Sequence, residues 1–75
     1  MTAAPRLALS HRHRDVLFWA ARGKTSADTA AILGISPRTV EVHRIQACRA
    51  LGAANVTNAV AIALAANFFT LGDAA

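Results

Sequence analysis

The chain has 75 residues, of which 55% are hydrophobic, and a net charge of +4 at neutral pH. A chain of this length folds around one hydrophobic core, so function must lie on the surface of a single small domain rather than in a cleft between domains. The excess of basic residues favours a polyanionic partner, and both nucleic acid and anionic lipid fit that description.

Charge and cysteine content are uneven along the chain. Every Lys and Arg lies at or before Arg49, and residues 50–72 carry no charge. That uncharged stretch is interrupted by several polar residues, so we do not expect a membrane protein. Cys48 is the only cysteine, which excludes an intrachain disulfide, and residues 1–6 lack the apolar segment of a signal peptide. The sequence therefore predicts a cytoplasmic protein.

Three glycines divide the chain. Gly23, Gly34 and Gly52 each follow a run with helical spacing, and glycine is favoured just past a helix end. Alternating strand patterns are absent, so three breaks predict four helices and an all-α fold. We expect a folded domain over residues 9–70, a flexible N-terminal arm over 1–8 and a short tail over 71–75.

The first two helices have recognisable starts. Ser10 is a suitable N-cap for a helix ending near Arg22, and Phe18 falls on the polar side of that helix. An exposed Phe18 would be either an ordinary surface residue or an interaction anchor. The second helix, of about two turns, has Thr25 as N-cap with Asp28 three residues later, the spacing of a capping box.

The third helix has the clearest start in the chain. Ser36 is a good N-cap, and Pro37 suits the first helical position because its missing N–H costs nothing there. This helix should run to about Leu51. The fourth helix should begin near Asn55 and continue to about Phe69.

The second helix, the turn at residues 34–36 and the third helix have the spacing of a helix-turn-helix. On the third helix, a core-facing side is predicted from residues that share one face at 100° per residue. These residues are Val40, Arg44, Ala47 and Leu51, with the Arg44 stem lying along the face and its charged end reaching solvent.

The opposite face of the third helix has the chemistry of a base-reading surface. Arginine matches guanine, glutamine matches adenine, a carboxylate can accept from cytosine, and apolar groups meet thymine methyls. A merely solvated face would leave two apolar side chains exposed without reason, so DNA binding is favoured. The residues on this face are Arg38, Glu41, Val42, Ile45, Gln46 and Arg49.

Several segments resemble the LuxR/FixJ/GerE-type helix-turn-helix domain. The match spans nearly the whole chain and is carried by Leu9-Ser10, residues 16–25, Ala30, residues 33–44 and Leu51-Gly52. The TVEVHR segment is similar to FixJ-type response regulators, and the WxAxGK segment is similar to quorum-sensing LuxR proteins. The resemblance implies a four-helix domain with a tri-helical core, a third helix that enters the major groove and a fourth helix that dimerises.

The resemblance also implies which residues contact DNA. Base contacts would fall on Glu41, Val42 and Ile45, to which the exposed face adds Gln46. Phosphate contacts would fall on Lys24, Arg38 and Arg49, with Thr39 hydrogen-bonding the DNA backbone. Double-stranded DNA is therefore the predicted partner, and the predicted function is sequence-specific transcriptional regulation.

Four positions depart from the LuxR-type pattern. His13 stands where the pattern usually has Glu, and Thr29 where it has Ile. Ala50 replaces a Lys, and Val56 replaces a frequent Arg. If those two missing cations are phosphate contacts, DNA affinity should be weak at physiological salt.

The fourth predicted helix is apolar around more than half of its circumference, which indicates burial on two sides. One side can face the domain's own core, and the other is most simply covered by a second copy across a two-fold axis. The predicted dimer interface consists of Val56, Ala59, Val60, Ala63 and Ala66. The alternative is an adaptor that uses this helix to pair with another regulator protein.

No metal, cofactor or enzyme activity is predicted. His11 and His13 lie about 200° apart around a helix, so they cannot share one metal ion. His43 has no nucleophile or carboxylate placed beside it by spacing, so we expect it to pack in the third helix rather than act as a base. Met1 and the tail at 72–75 slightly favour a standalone protein over the detached output domain of a larger receptor.

Overall fold

The computed structural model describes residues 9–68, and all regular structure in this part of the chain is helical. The helices are α1 (His11–Ala21), α2 (Ser26–Leu33), α3 (Pro37–Leu51) and α4 (Val56–Ala65). The all-α, four-helix prediction is confirmed. The predicted arm at 1–8 and tail at 71–75 lie outside the described residues. Among the described helices none is individually long and apolar enough to cross a membrane, although α3 and α4, bent by 55°, pass that test as a pair.

All four helices start where the sequence predicts. The side chains of Ser10, Thr25, Ser36 and Asn55 each accept a hydrogen bond from the backbone N–H three residues later. At α2 the capping box is complete, because the Thr25 N–H also donates to the Asp28 carboxylate at 3.2 Å. Each cap satisfies a backbone donor that the first helical turn leaves unpaired.

The turn between α2 and α3 depends on Gly34. Its φ of +71° lies in the left-handed region, and its N–H donates to the Ala30 carbonyl at 2.9 Å. A Cβ built at this position would meet no atom within 4 Å. Glycine is therefore favoured here by the backbone conformation and not by lack of space.

The core consists of two clusters of buried side chains that share α1 and α3. The smaller cluster joins Val16 of α1, Ala30 of α2 and Val40 of α3. The larger cluster joins α1, α3 and α4 through Leu17, Phe18, Ala47, Leu51, Ala59 and Ala63. Helices α1 and α3 thus form the frame, and α2 and α4 each pack against one part of it.

Phe18 is buried, so the prediction of an exposed ring on the polar side of α1 is wrong. The residue is 8% exposed and belongs to the larger cluster. The Trp19 ring meets it edge-on at 5.0 Å, and the Arg22 guanidinium lies 5.3 Å from its centroid. The helical projection of α1 alone could not reveal this, because α4 packs against α1 and covers that side.

Helix α4 ends earlier than predicted. Asn67 adopts a left-handed φ of 62°, the Phe68 N–H donates to the Ala63 carbonyl, and the Asn67 N–H donates to the Leu64 carbonyl. This is the hydrogen-bond pattern of a Schellman motif, in which asparagine is tolerated in place of glycine. The predicted end near Phe69, a residue outside the described part, is therefore wrong.

Two residues of the predicted dimer interface are inside the domain. Ala59 and Ala63 have no exposed surface and pack in the larger cluster. The prediction that they meet a second copy is wrong, because small side chains at these positions allow α4 to approach its own core closely. Val56 and Val60 are half-buried and Ala66 is exposed, so these three keep surface for a partner.

Thr29 provides a stability test of the core. Its side chain is completely buried, and its hydroxyl has no hydrogen-bond partner among residues 9–68. Thr29→Val keeps the shape and removes the unpaired hydroxyl, so we expect the free energy of unfolding to rise by about 1 kcal/mol. Urea unfolding followed by circular dichroism measures this change, and Thr29→Ser, which keeps the hydroxyl and loses a methyl, should destabilise. A destabilised Thr29→Val variant would contradict the burial of an unpaired group.

Candidate nucleic-acid interface

One side of α3 is fixed in the core. Val40 and Ala47 have no exposed surface, and Leu51 is 8% exposed. Arg44 lies half-buried at the edge of this side and donates from Nη2 to the Lys24 carbonyl at 3.0 Å. The predicted core-facing side of α3 is confirmed, and its burial determines which residues point outward.

The outward side of α3, here called the recognition face, carries the six residues that the sequence predicts there. All of them are exposed: Arg38, Glu41, Val42, Ile45, Gln46 and Arg49. Its two apolar residues, Val42 and Ile45, are 37% and 52% exposed. Val42 and Ile45 lie three residues apart on the helix, so they form one small apolar patch between the polar residues of the face.

Two polar residues of the recognition face are bound to neighbouring helices. On one flank the Ser26 hydroxyl of α2 donates to Glu41 Oε2. On the other flank His13 Nε2 of α1 lies 3.0 Å from Gln46 Oε1. The predicted base-reading groups are therefore oriented by the domain itself. Sequence spacing gave no sign of either bond, since the partners are 15 and 33 residues apart.

The α1 flank also contains a pair of histidines. The His13 and His43 rings are 5.7 Å apart between centroids and tilted by 60°. Both Nδ1 atoms are enclosed and have no hydrogen-bond partner within the described residues. His11 lies elsewhere, 3.7 Å from Asp15, and residues 9–68 contain no group of three or more His, Cys, Asp or Glu suited to a metal ion. His43 packs in the domain, as the sequence predicts.

Three exposed cations lie on or beside the recognition face. Lys24 is exposed in the turn after α1, and the Arg44 bond to its carbonyl holds that turn beside α3. Arg38 is exposed in the first turn of α3 and Arg49 in its last turn. Thr39 differs, because its N–H donates to Ser36 Oγ at 3.0 Å and its hydroxyl lies 2.9 Å from the same atom. Its N–H serves the helix cap, whereas its hydroxyl remains able to donate to another group when Ser36 is the donor between the two hydroxyls.

A short helix, a left-handed glycine turn and a longer helix with an exposed outer face define a helix-turn-helix domain. Residues 7–63 match the family of bacterial regulatory proteins known as the luxR family. The chain belongs to this family, so it is a DNA-binding helix-turn-helix domain of the kind found in transcription regulators.

Named relatives agree with this assignment. The transcriptional activator protein BjaR1 of Bradyrhizobium diazoefficiens is 44% identical over 63 residues, which cover 84% of this chain and 26% of that protein. The quorum sensing-dependent transcriptional regulator RpaR of Rhodopseudomonas palustris is 52% identical over 56 residues, which cover 75% of this chain and 23% of that protein. The structure of the transcription factor GerE superposes with a TM-score of 0.80 at 25% identity, covering 84% of this chain and 94% of GerE. The chain thus spans about a quarter of the length of the curated relatives.

Cys48 of α3 provides a test of the packing beside the interface. The side chain is half-buried, and burial raises the pKa of its thiol. The thiolate is the reactive form, so the folded chain should contain less of it than the unfolded chain at the same pH. We expect the rate of alkylation by iodoacetamide to reach half its maximum at a higher pH in the folded chain than in urea. Coincident pH profiles would contradict the burial of this thiol.

Proposed function

We propose that this chain is a sequence-specific transcriptional regulator that places α3 in the major groove of DNA and binds a two-fold site as a homodimer. The observation that carries the proposal is the recognition face, whose outward direction is set by the burial of Val40, Ala47 and Leu51 on the opposite side. A helix of 15 residues is about 22 Å long, and the major groove is wide enough to admit one.

The proposed contacts divide the recognition face by chemistry. Val42 and Ile45 at its centre suit thymine methyl groups, whereas Glu41 and Gln46 at its flanks suit the polar edges of bases. Lys24, Arg38, Arg49 and, at the helix start, Thr39 would position the domain on phosphates without specifying sequence. With Ala50 and Val56 supplying no charge, few counterions are released, so one domain alone should bind weakly.

We propose that α4 forms the dimer contact through a strip different from the one predicted by the sequence. Thr57, Ala61 and Ala65 recur at intervals of four residues, and all three are exposed. Beside this strip lie Val60 and Leu64, which are half-buried. Small side chains with apolar neighbours allow two helices to approach closely across a two-fold axis. Two linked domains would offset the weak binding of one.

Substitutions on the recognition face should separate affinity from specificity. Arg38→Ala and Arg49→Ala should each weaken binding to all sequences and reduce the slope of log affinity against log salt by about one. Glu41→Ala should change the preference at one base pair by about 1–3 kcal/mol. Gel-shift titrations at several salt concentrations, with a site selected from random duplexes, measure both effects.

Arg14→Ala is the matched control, because Arg14 is an exposed arginine of α1 outside the recognition face. It should leave the base preference and the salt slope unchanged. If Arg38→Ala, Arg49→Ala and Glu41→Ala all bind DNA as the unmodified chain does, the recognition face is not the DNA contact. If the unmodified chain retains no duplex even at low salt, the adaptor function, in which α4 pairs with another regulator protein, is favoured instead.

The dimer contact is tested by placing a charge on the exposed strip of α4. Ala61→Glu should weaken self-association about tenfold or more, because an unpaired carboxylate would be buried between the two copies. Ala31→Glu adds the same charge on an exposed site of α2 and should have no effect. Sedimentation equilibrium measures association, and circular dichroism checks the fold. A folded but monomeric unmodified chain at high micromolar concentration would contradict the dimer.

A further inference from the structure

In the hydrogen bond between His13 and Gln46, the donor and the acceptor can be assigned. His13 Nδ1 is enclosed and has no hydrogen-bond partner among residues 9–68, whereas Nε2 lies 3.0 Å from Gln46 Oε1. An enclosed N–H without a partner is rarer and costlier than an enclosed lone pair. The imidazole proton therefore belongs on Nε2, which donates to the amide oxygen of Gln46.

This bond determines what Gln46 presents to DNA. With its oxygen held by His13, the side chain turns its NH₂ group away from α1 and offers two donors at the exposed surface. A glutamine with both groups free matches adenine, since it accepts from N6 and donates to N7. A glutamine that presents only donors matches guanine better, because O6 and N7 are both acceptors.

We propose that His13 is a positioning residue that sets the hydrogen-bond polarity of Gln46 and thereby makes it prefer guanine over adenine. The inference rests on the proposed DNA-binding function and adds the source of specificity at one base pair. A glutamate at position 13 would reverse this polarity. Its carboxylate accepts only, so it would take the NH₂ group and leave the Gln46 oxygen facing DNA.

The test compares donor and acceptor variants at position 13. A binding site is selected from random duplexes with the unmodified chain, and each purine position is then exchanged between guanine and adenine. At one position we expect guanine to be preferred roughly fivefold or more, the effect of one good hydrogen-bonded base contact. His13→Lys, a donor only, should keep this ratio, and His13→Glu should reverse it. Gln46→Ala should abolish the discrimination at that position alone.

The ratio between two bases is independent of overall affinity, so the charge added by each variant does not obscure it. A folded His13→Glu variant with the unmodified base ratio would overturn the inference, as would a Gln46→Ala variant that still discriminates. Neither result would affect the proposed function if DNA is bound. Absence of binding by the unmodified chain would instead overturn the proposed function together with this inference.

A measurement without DNA tests the same bond. Long-range ¹H–¹⁵N correlation spectra of the labelled chain identify which nitrogen of His13 carries the proton. We expect the proton on Nε2 and a change in the Gln46 side-chain amide signals in His13→Glu, with His11→Glu as the control. A proton on Nδ1 would overturn the inference whether or not the chain binds DNA.

Discussion

The burial of one side of α3 is the constraint on which the rest of the structure depends. Val40 enters the smaller core cluster, while Ala47 and Leu51 enter the larger one, so a single helix spans both. Burying Val and Leu side chains contributes about 1.5–3 kcal/mol each. Rotating α3 by one residue would expose them and bury charged groups such as Glu41, at a cost of several kcal/mol. The outward direction of the recognition face follows from this asymmetry.

Local sequence signals predicted the helices well because capping is a local interaction. Ser10, Thr25, Ser36 and Asn55 bond to donors only three residues away, and such spacing is visible in the chain itself. Burial in the core was predicted less well. Ala59 and Ala63 were assigned to a dimer contact because helical periodicity cannot distinguish a side packed on the domain from a side packed on a second copy.

The details of the candidate site were only partly predictable. The exposure of Val42 and Ile45 follows from the helical position of the buried residues, and the sequence predicted it. The bonds from Ser26 to Glu41 and from His13 to Gln46 join different helices, so they depend on how α1 and α2 cross α3. The prediction that Phe18 is exposed was wrong for a similar reason. Helix α4 covers a side of α1 that appears polar in a helical projection of α1 alone.

The arrangement suggests a division of labour across the interface. Hydrogen bonds from α2 and α1 orient Glu41 and Gln46 at the two flanks of the recognition face. Less side-chain entropy would therefore be lost on DNA binding. In the proposed function, Lys24, Arg38 and Arg49 would supply modest electrostatic affinity, so a second copy of the chain would be needed for stable binding. Specificity and affinity would then come from different parts of this small chain, α3 for the first and α4 for the second.

We propose above all that DNA contacts the outward side of α3. The most direct test is to titrate the ¹⁵N-labelled chain with its selected duplex and to map the changes in backbone amide chemical shifts. We expect the largest shifts at Val42, Ile45 and their neighbours on α3, with smaller shifts near Lys24. Shifts confined to α4, or a response that leaves α3 unchanged while binding occurs, would contradict it.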